Sequence, residues 1–412
     1  MEILYRSCCG LDVHAQTVVA CLIKMGQKSV RTFSTMTDDL LALSDWLTGE
    51  GCTLVAIEST GVYWKPVFNI LEGDMEVILV NARHVKAVPG RKTDVKDCEW
   101  LADLLRHGLL KASFIPPLEI RELRELTRYR QTLVREQASV ANRVQRIIES
   151  GNIKLAQVAT DALGTSGRRM LRALAAGEPD VAKLAEMARG RLRTKKVELQ
   201  RALSGRLTAA QCFVLGELLD RYDELEAAIL RVNEQIKQEV AEGPDPFVRE
   251  AMQLLQTIPG VGERVAEAIV SEIGVDMSRF PSDAHLASWA GMCPGNNESA
   301  GKRKSGKTTK GNIHLRTALT QAAWAATHTK QTYLAAQYRR LVKPKGKKRA
   351  LVAVGHSLLV IAYHLLSRKA SYQELGGAYF DRRNVEVQRT RLIRKLEALG
   401  VKVTIETVAV AV

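Results

Sequence analysis

Four acidic residues stand where an acid is costly or where two acids share a face. Asp12 lies near the end of the apolar run 8–13, and Glu58 closes Leu54-Val55-Ala56-Ile57-Glu58. A carboxylate at the tip of a buried strand needs a cation or a partner to offset its desolvation, so each is a better site candidate than a surface acid. Lys92-Thr93-Asp94-Val95-Lys96-Asp97 adds two acids three residues apart, a spacing that puts both on one helix face. Alone, Asp94 and Asp97 read better as helix N-terminal acids favoured by the macrodipole. Asp74, Glu99 and Asp103 read as surface charges. Four convergent carboxylates would hold Mg2+ or Mn2+, and two such ions can activate an attacking oxygen and stabilise a leaving one in phosphoryl transfer.

A second constellation is Cys293-Pro294-Gly295-Asn296-Asn297-Glu298-Ser299-Ala300-Gly301, followed by Lys302, Arg303, Lys304, Lys307, Lys310 and Arg316. A small polar loop here opens into a cationic strip. Ser299 could attack a phosphodiester there, with the cations stabilising the developing charge; the same loop could bind phosphate without catalysis. A further cluster holds Lys345, Lys347, Lys348 and Arg349, preceded by Arg339, Arg340 and Lys343, with Tyr333 and Tyr338 at its start. It reads as a nucleic-acid backbone patch or as a solvated loop. In Ile258-Pro259-Gly260-Val261-Gly262-Glu263 the glycines resemble the turn of a helix-hairpin-helix element, whose exposed amides grip phosphate; a simple tight turn between packed helices is the alternative.

The elements that must position these groups follow from hydrophobic period. Residues 8–13, 17–23 and 29–34 read as an antiparallel meander, 37–48 as an amphipathic helix with Thr37 as N-cap, 53–57 as a buried strand, 62–71 as a helix, 76–80 as a strand and 94–107 as a helix. That order is used by RNase H-like domains, where the first and fourth strands are parallel neighbours and the tips bearing Asp12 and Glu58 would meet; actin-like ATPases share much of it. Residues 118–149 and 191–241 read as two long charged helices, an antiparallel coiled coil or a plain bundle, with a shorter helical insert between. Gly243-Pro244-Asp245-Pro246 marks a boundary, so three domains are expected at 1–117, 118–245 and 246–412, the last mainly helical.

The net charge of +15 is uneven: residues 246–412 carry 26 basic and 12 acidic side chains, while residues 1–117 carry 12 and 14. Such a field attracts polyanions, so nucleic acid is the expected partner, with a merely solubilising surface as the alternative. Seven cysteines lack metal-ligand spacing and read as reduced packing residues of a cytoplasmic protein. The N-terminus lacks a signal-peptide layout. The apolar stretch 350–366 is interrupted by Gly355, His356, Ser357 and His364, so a buried helix is expected and no membrane partner.

Five segments in order, Gly10-Leu11-Asp12-Val13-His14, Ala56-Ile57-Glu58-Ser59-Thr60-Gly61, Lys92 to Asp97, Ile258 to Gly262 and Lys310-Gly311-Asn312 running to Leu315-Arg316, resemble the DEDD transposases of the insertion-sequence one-ten type. The resemblance covers nearly all of the chain. It implies a RuvC-like N-terminal domain joined by a coiled coil to a serine-bearing transposase domain. It further implies that Asp12, Glu58, Asp94 and Asp97 bind the metal and that Ser299 is the nucleophile of a covalent phosphoserine link to DNA. Donor and target DNA would be paired by a structured non-coding guide (bridge) RNA from the element's own ends, the protein reading shape and backbone. Homodimers would pair into tetramers, in the cytoplasm at the nucleoid. The family usually has glycine directly after the serine; this chain has Ala300 before Gly301, and Ser305 is the neighbouring hydroxyl.

Three other readings compete. A RuvC-like structure-specific endonuclease would use the acids and water alone. A non-catalytic nucleic-acid scaffold would use neither acid nor serine. An actin-like ATPase would need a glycine-rich phosphate loop beside Asp12, which the sequence lacks.

Overall fold

The structure, a computed structural model, describes residues 2–58, 61–81, 85, 97–295, 297–299, 302–383 and 385–404. The chain divides into two compact units, Met1–Ile115 and Pro116–Val412.

In the first unit, β1 (Ser7–Val13), β2 (Thr17–Lys24) and β3 (Gln27–Ser34) form the antiparallel meander, with Gly10 opposite Cys21 and Cys21 opposite Val30. The two-residue turn between β2 and β3 takes positive φ at both Met25 and Gly26, the tight hairpin geometry that matches strand twist. β4 (Leu54–Glu58) lies parallel to β1, and β5 (Glu76–Val80) lies parallel to β4. The sheet order β3-β2-β1-β4-β5 is the RNase H-like arrangement expected. Strand alternation splits the core in two. Cys9, Leu11 and Val13 pack with Val55 and Ile57 against α1 (Thr37–Gly49) and α2 (Trp64–Leu71). Cys8, Leu54 and Ala56 pack against α3 (Asp97–Arg106) on the other face. Thr37 is the first residue of α1 rather than its cap, which is Met36. The expected helix 94–107 is described only from Asp97; Asp94 lies outside the described residues.

All seven cysteines are free, and five are buried. Burial pushes the thiols of Cys8 and Cys21 up to about 12, so they stay protonated and act as small apolar residues.

The second unit is helical. α4 (Leu118–Ser150) ends one residue beyond expectation. α5 (Leu155–Val158), α6 (Thr165–Ala175), α7 (Val181–Glu186) and α8 (Lys196–Leu203) form the insert, and α9 (Ala209–Glu242) completes the arm. α4 and α9 run antiparallel: Val144 and Ile148 share a core with Leu215 and Leu219, Leu133 and Val140 share one with Leu225 and Ile229, and Arg130 bonds Asn233. The second arm helix starts at Ala209 rather than 191. Thr208 and Gln211 form a reciprocal capping box that fixes the new start, and residues 190–203 fold as a 3-10 turn and α8 instead.

α10 (Phe247–Gln256), α11 (Glu263–Ile273), α12 (Asp283–Trp289), the hairpin β6 (Asn297–Ser299) and β7 (Lys302–Ser305), α13 (Ile313–Thr327), α14 (Tyr333–Lys345), α15 (Lys347–Arg368), α16 (Tyr379–Arg383) and α17 (Val385–Ala398) follow. They belong to the same unit as the arm. α15 is the one helix among the described residues long and apolar enough to cross a membrane. It is instead packed within this unit against α13 and α14, burying Val354, Leu358, Leu359 and Ala362.

Candidate functional site

Asp12 and Glu58 meet because of register and alternation. β1 and β4 pair in parallel through Leu11 and Ile57, so Asp12 and Glu58 are the next residues along two adjacent strands. Both share the parity of Gly10 and Ala56, which puts them on the α3 face. α3 can approach that face only because residue 10 is glycine. A Cβ there would lie 2.4 Å from the Cys98 carbonyl oxygen and 2.5 Å from the Ala102 nitrogen, a backbone clash that no rotamer relieves. This seat sets the first turn of α3, which begins at Asp97, against the strand that carries Asp12. Asp12 is half-buried, and its Oδ2 lies 3.3 Å from His14 Nε2. Asp97 is exposed on the first turn of α3.

Two half-buried carboxylates side by side suit a hard divalent cation, whose charge would relieve their mutual repulsion. Among the described residues, no group of three or more His, Cys, Asp or Glu side chains converges closely enough to hold a metal ion. Of the four acids expected from the sequence, Asp12 and Glu58 are the two that the fold places side by side, and Asp94 falls outside the described residues.

Ser299 belongs to the second unit. It ends β6 and is paired with Lys302 across the hairpin, while Glu298 faces Arg303, with a bulge beside Asn297. The feet of the hairpin are clamped. Pro294 bridges Thr308, the Gly295 N–H donates to the Lys307 carbonyl at 2.8 Å, and Arg316 Nη2 donates to Thr308 Oγ1 at 3.3 Å. Below them the chain crosses itself at two glycines. A Cβ on Gly311 would lie 2.3 Å from the backbone of Ala290 and Gly291, which accounts for glycine in Lys310-Gly311-Asn312. Asn312 then caps α13, its Oδ1 accepting from the N–H groups of His314 and Leu315, both at 3.0 Å.

The groups that hold this platform were not singled out from the sequence. Glu272, on the last turn of α11, is 1% exposed yet ionised. Arg128 of α4 grips it with two bonds of 2.7 and 2.8 Å, Arg124 lies 3.4 Å away, and the Asn312 amide donates to it. Burial pushes its carboxyl up, but these partners outweigh burial and hold it below the usual carboxylate range. Arg124 also donates to the carbonyls of Ser271 and Glu272 at 2.9 and 2.7 Å, closing the C-terminal end of α11; burial brings its guanidinium down to about 10. His314 Nδ1 lies 2.6 Å from Gln131 Oε1 on the arm, and burial lowers its imidazole. The arm is thus joined through one buried carboxylate to the cap of the helix that follows the hairpin. The sequence signal was available: Glu272 interrupts the apolar face Ile269-Val270-Ile273.

Gly260 takes φ 91° and packs against α13, where a Cβ would lie 2.5 Å from the Ala322 carbonyl oxygen, so close packing accounts for it; Gly262 is exposed and caps α11. Lys307 and Lys310 are exposed and Arg316 is half-buried. Lys345, Lys347, Lys348 and Arg349 are all exposed at the bend between α14 and α15, which Gly346 turns with φ 77°. The side chains of Ser299, Lys302, Arg303, Lys304 and Ser305 lie outside what the structure describes.

Residues 9–152 match a family model described as a transposase, the DEDD type of IS110. Residues 252–339 match one described as the transposase of the IS116/IS110/IS902 family. The first match spans Asp12, Glu58, Asp94 and Asp97; the second spans the hairpin and α13. The chain is 30% identical over 132 residues to the pilin gene-inverting protein of Moraxella bovis, covering 31% of this chain and 41% of that one, and equally to its counterpart in Moraxella lacunata. It is 26% identical over 311 residues to an uncharacterised insertion element IS110 protein of Streptomyces coelicolor, covering 69% of this chain and 73% of that one. The chain spans about two fifths of the length of the pilin gene-inverting relatives it matches.

Proposed function

Because the chain belongs to the IS110 family of transposases, we propose that it is a DNA recombinase of an insertion sequence, cutting and rejoining donor and target DNA through Ser299. The observation that carries this reading is the pairing of Asp12 with Glu58 on the α3 face of an RNase H-like sheet, in a chain that also matches the family over its serine hairpin.

The Ser299 hydroxyl displaces a sugar oxygen at phosphorus. One ester bond forms as one breaks, and a free DNA hydroxyl is released. Attack by a hydroxyl end of the second duplex reverses the step, restoring the serine and joining the strands. A divalent cation, Mg2+ or Mn2+, held by Asp12, Glu58, Asp94 and Asp97, would supply charge neutralisation at the phosphate. Lys302, Arg303, Lys304, Lys307, Lys310 and Arg316 flank the serine and favour the negative charge that grows during attack. Clamped hairpin feet support this role, since a nucleophile needs a fixed approach.

Partners are part of the same proposal. The excess of basic over acidic residues in 246–412 supports binding of polyanions, DNA together with a guide RNA encoded by the element. Synapsis of two DNA ends calls for more than one subunit, in line with a homodimer that pairs into a tetramer. The three-part division at 117 and 245 is retained as a functional division: acids, arm and serine.

Ser299→Ala is the deciding variant. It should bind DNA, lose strand exchange and trap no protein-DNA adduct, while Ser305→Ala retains exchange. Cutting by Ser299→Ala at the wild-type rate would replace this reading with a nuclease that uses the acids and water. Sequencing of RNA that co-purifies with the protein tests the guide, and recovery of no element-derived species would remove it.

A further inference from the structure

The helical unit contains another polar cleft, away from the hairpin, where α13 ends. The turn 327–331 forms one wall, and the segment 374–378 with Arg339 of α14 and Arg382 of α16 forms the other, around about 1070 Å³. Three exposed cations line it, Lys330, Arg339 and Arg382, drawn from three separate segments. None of them makes an ion pair among the described residues. Among the described residues one carboxylate lines it, and the protein itself uses that one. Glu374 Oε1 accepts from the backbone N–H groups of Tyr333 at 2.7 Å and Gly376 at 2.8 Å, and Oε2 accepts from the Tyr372 hydroxyl at 3.4 Å. Among the described residues the cleft therefore turns three cations against one carboxylate to solvent, a net positive charge.

Its walls are built closely. Gln331 takes φ 56°, a left-handed conformation that strains a residue with a side chain, and a Cβ on Gly377 would lie 3.1 Å from the Gln331 Cα. One turn back along α13, Trp324 is 54% exposed. His328 meets it edge-on at 4.7 Å, with its Nδ1 2.8 Å from the Trp324 carbonyl oxygen. A large flat apolar face is thus fixed in water beside a cationic cleft.

Cations alone would make a solvated surface. An exposed indole in contact with His328 of the cleft wall, next to a cleft lined by three cations without ion pairs among the described residues, matches the two components of a single-stranded nucleic acid, phosphates and free base faces. The geometry points to a binding site for a single strand of DNA or RNA, with phosphates on Lys330, Arg339 and Arg382 and a base stacked on Trp324. A duplex keeps its base faces stacked internally and has none to offer. This site goes beyond strand exchange, since it holds a strand whether or not a bond is cut.

The test uses the full chain with metal chelated, so that binding is read without chemistry. Labelled 12-mers of single-stranded DNA, single-stranded RNA and the DNA duplex are titrated across a salt series. Lys330→Ala/Arg339→Ala/Arg382→Ala should weaken single-strand binding about tenfold or more and reduce the slope of log affinity against log salt by about 2, since each lost phosphate contact removes roughly 0.7. Trp324→Ala should weaken single-strand binding by about 5- to 150-fold and leave the slope unchanged. The DNA and RNA arms identify which strand the cleft prefers. All four residues are exposed, and unchanged thermal melting checks that the variants fold. An unaltered slope in the triple variant overturns the site, as does Trp324→Ala with unaltered single-strand affinity. Wild-type protein that fails to exchange strands but shows these effects would sink the proposed function and leave the cleft standing.

Discussion

The acids and the serine are seated by opposite means. Asp12 and Glu58 stand on apolar packing, two strands in register and a helix pressed onto Gly10, with Cys8, Leu54, Ala56 and Leu101 filling the space behind. The hairpin of Ser299 stands on a buried polar network, with Glu272 held by Arg124 and Arg128 from the arm and by Asn312 from α13. Apolar packing is short-ranged and indifferent to pH. A buried ion network reaches between distant segments, and it fails when one member is removed because the others are left desolvated and unpaired. The acid site therefore rests on apolar contacts within the first unit, while the serine platform depends on charged groups of an arm some 144 residues earlier in the chain.

The contrast can be broken first at Glu272. Glu272→Ala strips the platform of its shared acceptor and should cost about 3 kcal/mol of unfolding free energy, read by urea denaturation; this is the low end for a broken buried pair because Arg128 stays 39% exposed. On the proposed function, strand exchange should fall with it, while the metal binding proposed for the first unit is retained. A variant of wild-type stability would show that the network is dispensable.

Gly10→Ala attacks the other side. The new Cβ meets α3 backbone rather than a flexible side chain, so the helix must move, and about 2 kcal/mol is expected from overpacking. Metal affinity, measured by calorimetry, should fall further than stability does if Asp97 is a ligand as proposed, because it rides on the displaced helix. Equal losses in both would mean that the glycine serves packing alone.

The smallest effect sharpens the comparison through pH. The folded carboxyl of Glu272 is depressed, so its stabilisation is complete above the unfolded carboxylate range of about 4.3 and is lost as pH falls through the lower folded value. Glu267, one face back on α11, is the reverse. Burial raises its carboxyl despite Arg130, so protonation favours the folded form and its contribution grows as pH falls through that raised value. The stability gap between wild type and Glu272→Gln should shrink as pH is lowered from 6 to 3, and a gap that widens would contradict the assignment.

Local pattern made the sheet legible. Alternation in 8–13 and in Leu54–Glu58 put Asp12 and Glu58 at strand tips, and the expected order of strands and helices is the order found. The first arm helix was legible from its apolar spacing. The start of the second is not legible, because its charge-laced pattern continues through Gly190–Lys195 while Thr208 sets the real start. Gly10 was visible only as part of a motif, since the helix it admits is almost 90 residues away. Glu272 was passed over for the same reason: both arginines that make it tolerable come from another element, and a single sequence does not reveal who faces whom.

The length of the arm gives the Glu272 network a mechanical meaning. α4 has 33 residues, about 50 Å of rod at 1.5 Å per residue. A tilt of about 5° at its base swings the far end by about 4 Å, nearly the spacing between neighbouring strands. The insert at that end is thus aimed by a fulcrum of four side chains, Arg124, Arg128, Glu272 and Asn312, and any force the insert feels is returned, levered up, to the cap of the helix behind the serine.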